Sequence, residues 1–395
     1  MFNQTLYALG SQPNKIRSLF EYGRSRSAIV GAENVFDFTL GNPSIPAPEA
    51  VNETVASLLR ELDSLALHGY TSSVGDFETR AAVAGDLNRR FSAGAGAEDL
   101  FLTCGAAPAL TAVLRALAVP GGEILAIAPY FMEYKVFTEA AGMTLRVVEA
   151  DIPEFQIRLD RLEQLLTPHT QAVILNSPNN PSGRVYTRDT LEALGAMLLQ
   201  KGAEYGHPIY VIADEPYREL ASDGVEVPFI PGIYPHTIVC YSYSKSLSLP
   251  GERIGYVYIP KSAQDARELY LAVAGAARSG GHVCAPSVWQ KVLARCASLG
   301  PDLQAYDRNR RYLYDGLVSM GYTVAKPDGA FYLFVQAPEG DSEAFCDRAV
   351  EKDLLVVPGT GFGCRPYFRV CYAADYDKIR RSLPIFQKLM EETKR

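Results

Sequence analysis

The segment SYSKSLSLPGERIGY, residues 242–256, lies between two apolar runs that are typical of buried strands. The upstream run is TIVCY at 237–241, and the downstream run is IGYVYI at 254–259. Lys245 stands among serines, and Arg253 follows in the same segment. Because ligands collect where the strands of open α/β sheets end, this segment predicts a binding site at a sheet edge.

The side chains of this segment have the chemistry that pyridoxal phosphate (PLP) requires of a protein. The amine of Lys245 can form an imine, and Ser242, Ser244 and Arg253 can bind a phosphate group. Taken alone, the segment is explained better by a solvated lysine in a serine-rich turn, which is the far commoner case. The choice between these interpretations depends on residues elsewhere in the chain.

Size and composition favour a soluble protein of about two domains. The chain has 395 residues, of which 48% are hydrophobic and 21% charged. Its net charge of −7 argues against non-specific binding of nucleic acid. No apolar run is long enough to span a bilayer, and the N-terminus does not resemble a signal peptide. We therefore expect a cytoplasmic protein that binds neither membrane nor nucleic acid.

The cysteines and histidines do not suggest a metal site or a disulfide framework. The seven cysteines are scattered without a C-x-x-C pair, which is typical of reduced thiols in a cytoplasm. The five histidines form no metal-spaced cluster, and no G-x-S-x-G motif of a serine hydrolase occurs.

Strand and helix patterns alternate from residue 99 onwards, which indicates βαβ units and a mostly parallel sheet. Together with the two runs around Lys245, strands are predicted at 99–103, 123–128, 144–149, 171–176 and 209–214. Helices are predicted at 48–66, 76–91, 106–118, 131–141, 159–166 and 188–201. This pattern predicts an α/β domain with a mostly parallel sheet of the seven-stranded type, flanked by helices.

The C-terminal part of the chain predicts a smaller α+β domain. Helices are expected at 261–278, 286–299, 302–319, 342–351 and 375–392, and short strands at 322–325, 331–335, 354–357 and 367–371. Residues 15–45 are expected to pack onto this unit, which makes it discontinuous. We therefore assign residues 46–290 to the large domain and residues 1–45 and 291–395 to the small domain.

Two polar groups follow predicted strands and fit a PLP site. Asp214 ends a strand, where its carboxylate can face the pyridine nitrogen, and Tyr217 can hydrogen-bond the 3-oxygen of the ring. Asn180, in the loop NNPSG at 179–183, can donate to the same oxygen. For each group taken alone, a cap or a ligand-free turn explains the residue as well or better.

Two further features fit anionic groups of a ligand. Gly105, Ala106 and Ala107 stand between a strand and a helix, where small residues let backbone N–H groups approach a phosphate. Arg369 lies in the otherwise apolar strand at 367–371, where it can bind a carboxylate in a bidentate manner. An internal Asp or Glu is the alternative partner for this arginine.

These residues occur in an order that resembles the class I/II aminotransferases, which are PLP enzymes of fold type I in the aspartate aminotransferase superfamily. The resemblance extends from about residue 36 to residue 372. It rests on Gly41-Asn42-Pro43, Tyr70 with Gly75, Gly105-Ala106-Ala107, Pro129-Tyr130-Phe131, the NNPSG loop, Asp214-Glu215-Pro216-Tyr217, Ser242-Tyr243-Ser244-Lys245 with Arg253, and Arg369.

The resemblance implies a role for each matching position. Lys245 would hold PLP as an imine, Asp214 would pair with the pyridine nitrogen, and Phe131 would stack on the ring, with Tyr130 as the adjacent alternative. Arg369 would bind the substrate α-carboxylate together with Asn180 and the backbone of Gly41. The phosphate would be surrounded by Gly105, Ala106, Ala107, Ser242, Ser244, Arg253 and Tyr70, the last from the partner subunit of a homodimer.

The chain departs from the family pattern at two places. Ala106 and Ala107 supply no hydroxyl to the phosphate, although relatives often have one there. Aspartate-specific relatives use a second arginine, from the other subunit, for the side-chain carboxylate, and Arg278 is a candidate for this role. A surface ion pair is at least as good an explanation of Arg278.

The resemblance implies transfer of an amino group from an α-amino acid to a 2-oxo acid, with 2-oxoglutarate the expected acceptor. A PLP-dependent C–S β-lyase or amino-acid decarboxylase is the alternative on the same scaffold. A non-catalytic ligand-binding regulator is a more remote alternative. The sequence leaves the amino donor open, although Ile16, Phe20 and Tyr22 are candidates for a pocket that selects apolar donors.

Overall fold

The computed structural model describes residues 1–11 and 15–393. Its strands, in chain order, are β1 (Phe36–Asp37), β2 (Leu100–Thr103), β3 (Glu123–Ile127), β4 (Thr144–Val148), β5 (Thr170–Asn176), β6 (Tyr210–Asp214), β7 (Thr237–Ser242), β8 (Gly255–Tyr258), β9 (Tyr332–Gln336), β10 (Leu354–Leu355), β11 (Val357–Pro358) and β12 (Tyr367–Cys371).

The α-helices of the described residues surround these strands. They are α1 (Gln4–Ser11), α2 (Lys15–Val30), α3 (Glu49–Glu61), α4 (Ser64–His68), α5 (Phe77–Phe91), α6 (Ala106–Ala116), α7 (Glu133–Ala140), α8 (Leu159–Leu165), α9 (Arg188–Tyr205), α10 (Tyr243–Ser246), α11 (Ala266–Ser279), α12 (Ser287–Cys296), α13 (Leu303–Ser319), α14 (Ser342–Val350) and α15 (Tyr376–Glu392).

The large sheet has seven strands in the order β2-β8-β7-β6-β5-β3-β4. Neighbouring strands are parallel except where β8 pairs with β2 and β7. The predicted α/β fold with a mostly parallel seven-stranded sheet is therefore confirmed. Parallel order brings the carboxyl ends of β5, β6 and β7 to one edge, where Asn176, Asp214 and Ser242 lie.

Both faces of this sheet are buried, which explains why its strands are continuously apolar. Along β5, Val173 and Leu175 face one core, whereas Ala172 and Ile174 face the other. Helix α6 packs against α11 on one side, and α5 and α3 pack against α12 on the other. The sheet is thus clamped between two helical layers, which makes its carboxyl edge a rigid platform.

A smaller α+β unit contains β9, β11 and β12 in one antiparallel sheet. Strand β1 pairs with β10, so residues near 36 join the C-terminal part of the chain as expected. Phe36 and Phe38 lie in the same apolar core as Phe331 and Phe368. The division at residues 46 and 290 stays a prediction.

Several predicted boundaries were wrong. Residues 322–325 do not form a strand of their own; Val324 makes an isolated bridge to Val335, and Pro327 has no N–H with which to extend it. The predicted helix at 48–66 is divided into α3 and α4, because Asp63 caps a new helix start. The predicted strand at 354–357 is split into β10 and β11, which pair with different partners.

The described part of the chain contains no helix with the length and apolar character needed to cross a bilayer.

Candidate active site

A cavity of about 300 Å³ lies at the carboxyl edge of the large sheet, beneath the small unit. It brings together most of the predicted site residues, which come from distant parts of the chain. Those lining it are Gly41, Ala106, Ala107, Phe131, Asn180, Asp214, Tyr217, Ser242, Ser244, Lys245, Arg253 and Arg369. Residues that are far apart in the sequence therefore line a single cavity.

Asp214, at the end of β6, is buried with an incomplete set of hydrogen bonds. The Tyr134 hydroxyl donates to its Oδ2 at 2.6 Å, whereas its Oδ1 is buried without a hydrogen-bond partner among the described residues. Burial raises the pKa of this carboxyl to about 7; Glu215 adds to the shift, and the Tyr134 hydrogen bond opposes it. A cationic or N–H group in the cavity would donate a hydrogen bond to Oδ1. It would thereby lower the pKa of the carboxyl and favour its ionised form.

Tyr134 is a functional residue that sequence reasoning missed. It lies in the first turn of α7, fully buried, with its ring edge-on to Phe131 at 5.7 Å between centroids. Its contact with Asp214 connects residues 80 positions apart, and no local pattern indicates it.

The N-terminus of α6 and the serine-lysine segment form a corner suited to an anion. Gly105 has a φ of +93° and precedes α6, and a methyl group on its Cα would overlap the guanidinium of Arg253. Arg253 donates to Ser244 Oγ at 3.3 Å, and Ser244 Oγ lies 2.7 Å from Ser242 Oγ. Hydroxyls, a guanidinium and a helix N-terminus thus converge, as in phosphate sites.

Lys245, in the short helix α10, lines the cavity with its amine. Its Nζ donates to the Gly41 carbonyl at 2.6 Å and lies 5.5 Å from the centroid of the Phe331 ring. Burial is the main cause that lowers the pKa of this amine; Cys371 opposes the shift, whereas the cations Arg253 and Arg369 add to it. Together these effects lower the pKa to about 8. The lowered pKa increases the neutral fraction of this amine near neutral pH, and the neutral amine is the form that can act as a nucleophile or base.

Arg369, on β12, is a cation that is 2% exposed. It donates to Asn180 Oδ1 at 2.9 Å and to the Thr39 carbonyl, whereas its Nε is buried without a hydrogen bond. No Asp or Glu among the described residues forms an ion pair with it. The alternative of an internal acidic partner therefore finds no support, and a carboxylate ligand would complete this guanidinium.

The two adjacent aromatic residues expected near the cofactor ring differ in position. Phe131 lines the cavity, whereas Tyr130 does not and instead packs near Gly363. Tyr217 lines it as well, with its hydroxyl 3.0 Å from the hydroxyl of Tyr332. Tyr332 is a second residue that sequence reasoning missed.

Tyr70 and Arg278 are not brought into this cavity by their own chain. The side chain of Tyr70 is 88% exposed, and Arg278 is exposed in the last turn of α11. Their predicted roles both involve a second subunit, so they stay predictions. Among the apolar candidates, Ile16 lines the cavity, whereas Phe20 and Tyr22 do not.

The fold and cavity define an aminotransferase-like α/β protein. The family model described as aminotransferase class I and II matches residues 33–383, so the chain belongs to this family, as its motifs indicated.

Similar proteins carry related names. The chain is 30% identical to the aspartate/prephenate aminotransferase of Thermus thermophilus, covering 89% of this chain and 90% of the relative. Among solved structures, an aminotransferase from Eubacterium rectale has 52% identity and a TM-score of 0.97, covering 99% of each chain. The T. thermophilus aspartate aminotransferase with maleate has 26% identity and a TM-score of 0.85, covering 98% of this chain and 99% of that one.

We expect the cofactor-free parent to lose folding stability as the pH rises, because Asp214 ionises. Asp214→Asn should not show this loss. The folded state keeps a proton on Asp214 up to a pKa of about 7, whereas the unfolded chain releases it near 4. The contribution of protonated Asp214 to the free energy of unfolding is thus fully present below about pH 4 and is lost as the pH rises through 7. Urea unfolding should show the parent losing on the order of 2–4 kcal/mol relative to the variant over this range.

The exposed Asp315 on α13 provides the matched control. Asp315→Asn should leave the pH dependence of the parent unchanged. Parallel stability curves for the parent and Asp214→Asn would contradict the environment described for Asp214.

Proposed function

We propose that this protein is a PLP-dependent aminotransferase that moves the amino group of an α-amino acid to a 2-oxo acid, with 2-oxoglutarate as the expected acceptor. The proposal rests on two charged side chains of the cavity that each have a buried atom without a hydrogen-bond partner. Asp214 Oδ1 and Arg369 Nε are both buried without a hydrogen bond, and the amine of Lys245 lines the same cavity. A protonated ring nitrogen would pair with Asp214, and the carboxylate of a substrate would pair with Arg369.

The cavity fits PLP at each of its functional groups. Asp214 would hold the proton of the pyridine nitrogen, Phe131 would lie against the ring, and Tyr217 and Asn180 would contact the 3-oxygen. Ser242, Ser244, Arg253 and the backbone of residues 105–107 would bind the phosphate. When bound, PLP supplies an electron sink for bond cleavage at the substrate Cα.

Lys245 would attach the cofactor and then move a proton between the substrate Cα and the cofactor. A base works best when its pKa lies near the working pH, and the pKa of Lys245 is lowered to about 8. The Gly41 carbonyl, which accepts from Nζ at 2.6 Å, keeps the amine inside the cavity.

Arg369 would hold the α-carboxylate of the substrate. Its guanidinium is fixed by Asn180, by Thr39 and by the faces of Tyr332 and Phe362, whose centroids lie 4.5 and 5.1 Å from Cζ. A pre-positioned bidentate donor orients the Cα bond that reacts and costs no reorganisation on binding. The backbone of Gly41 borders the same space.

We also propose a cytoplasmic homodimer in which Tyr70 of one subunit reaches the phosphate of the other. Support comes from large apolar side chains near Tyr70 in sequence that the single chain leaves in solvent. Leu65 is 86% and Phe77 67% exposed. Exposed apolar side chains of this size are typical of surfaces that a partner covers.

We expect Lys245→Ala to lose both turnover and the visible absorbance band of PLP-loaded protein, because no other amine lines the cavity in the described residues. Lys135→Ala, on the exposed side of α7, serves as the control and should keep both properties.

The parent, given an amino acid without a 2-oxo acid, should form stoichiometric pyridoxamine phosphate. Continuous product release under those conditions would instead indicate a lyase or decarboxylase.

We expect Ile16→Ala to change donor preference, because Ile16 lines the cavity at the start of α2. Loss of its apolar contact should lower kcat/KM for leucine about 10-fold relative to alanine as donor. Ile29→Ala, on the same helix and 75% exposed, is the matched control. An unchanged leucine-to-alanine ratio in Ile16→Ala would show that Ile16 does not contact the donor side chain.

A further inference from the structure

Tyr332 connects three groups of the cavity that the proposed function uses. It is the first residue of β9, opposite Cys371 of β12, and it is 2% exposed. Its hydroxyl lies 3.0 Å from the Tyr217 hydroxyl, and its ring lies 4.5 Å from the Arg369 guanidinium carbon. No motif of the sequence assigned a role to this residue.

The Tyr332 hydroxyl also lies close to the backbone of Gly41. A methyl group on the Gly41 Cα would overlap this hydroxyl, so a residue with a side chain would displace it. Gly41 is also the residue whose carbonyl accepts from Lys245. The absence of a side chain at position 41 thus lets Tyr332 and Lys245 approach the same stretch of backbone.

The direction of the hydrogen bond between the two tyrosines determines what Tyr217 can do. Each hydroxyl has a single proton to donate. If Tyr217 donates to Tyr332, its proton is not available to a ligand. If Tyr332 donates, Tyr217 accepts with a lone pair and keeps its own proton for the cavity.

The cation beside Tyr332 selects the second arrangement. Burial raises the pKa of both hydroxyls, and Arg369 opposes this shift at both of them. At Tyr332 the effect of Arg369 is the largest after burial, whereas at Tyr217 it is smaller than the raising effect of Tyr332. The more acidic hydroxyl of a pair is the better donor. A hydroxyl that accepts one hydrogen bond also donates the next one more strongly.

We propose that Tyr332 is a positioning residue whose hydroxyl donates to Tyr217 and thereby directs the Tyr217 proton to the 3-oxygen of the cofactor, while its ring supports Arg369. This inference rests on the proposed function. Tyr332 therefore couples the group that tunes the cofactor to the group that binds the substrate carboxylate.

The test compares two variants that separate the hydroxyl from the ring. In PLP-loaded protein, Tyr332→Phe removes the hydrogen bond that Tyr217 accepts, so Tyr217 donates less strongly to the 3-oxygen. More negative charge then stays on this oxygen, and it raises the pKa that governs the visible absorbance. The pH midpoint of the visible absorbance change should rise by about 0.2–0.5 unit. The KM for the amino donor should stay within about twofold, because the ring under Arg369 remains.

Tyr332→Leu should shift the midpoint in the same direction and also raise the donor KM, since it removes the ring. Tyr306→Phe is the matched control, a buried tyrosine whose ring stacks on Phe331 at 5.9 Å between centroids. It should change neither the midpoint nor KM. Circular dichroism of all three variants establishes that they are folded.

A Tyr332→Phe midpoint equal to that of the parent would overturn the role of the hydroxyl, and an unchanged KM in Tyr332→Leu would overturn the role of the ring. Neither result would affect the proposed function if the parent still forms pyridoxamine phosphate. A parent that binds no PLP would overturn both.

Discussion

The structure depends on a carboxylate that the protein buries without completing its hydrogen bonds. Asp214 receives one strong hydrogen bond, from Tyr134, and its second oxygen has none among the described residues. Burying an unpaired anion is costly, and the raised pKa of Asp214 expresses this cost. A ligand that brings a positive charge to this oxygen would offset the cost.

The rest of the scaffold fixes where this charge lies relative to the other reacting groups. Asn176 and Asp214 are register partners on β5 and β6, and the Asn176 amide donates to the Asp214 carbonyl at 2.8 Å. Lys245 follows the neighbouring strand β7, and Arg369 faces it from the smaller sheet. The distances among acid, amine and guanidinium are thus set by a sheet buried on both faces, which has little freedom to adjust.

The sequence predicted the parts of the site that stand at strand ends. Asp214 ends an apolar run, and Lys245 and Asn180 lie a few residues after one. Arg369 is conspicuous as a charge inside such a run. Tyr134 and Tyr332 could not be predicted, because their roles depend on contacts to residues 80 and 115 positions away in the chain. Helix and strand ends were likewise set by tertiary partners, as residues 322–325 show by pairing only once with β9.

The most direct measurement of the central claim is the nitrogen chemical shift of ¹⁵N-labelled PLP bound to the protein. If Asp214 is an anion paired with the ring, the pyridine nitrogen should remain protonated at a pH where free PLP has lost this proton, and Asp214→Asn should abolish that protonation. A pyridine nitrogen that titrates in the parent as it does in free PLP would contradict the account.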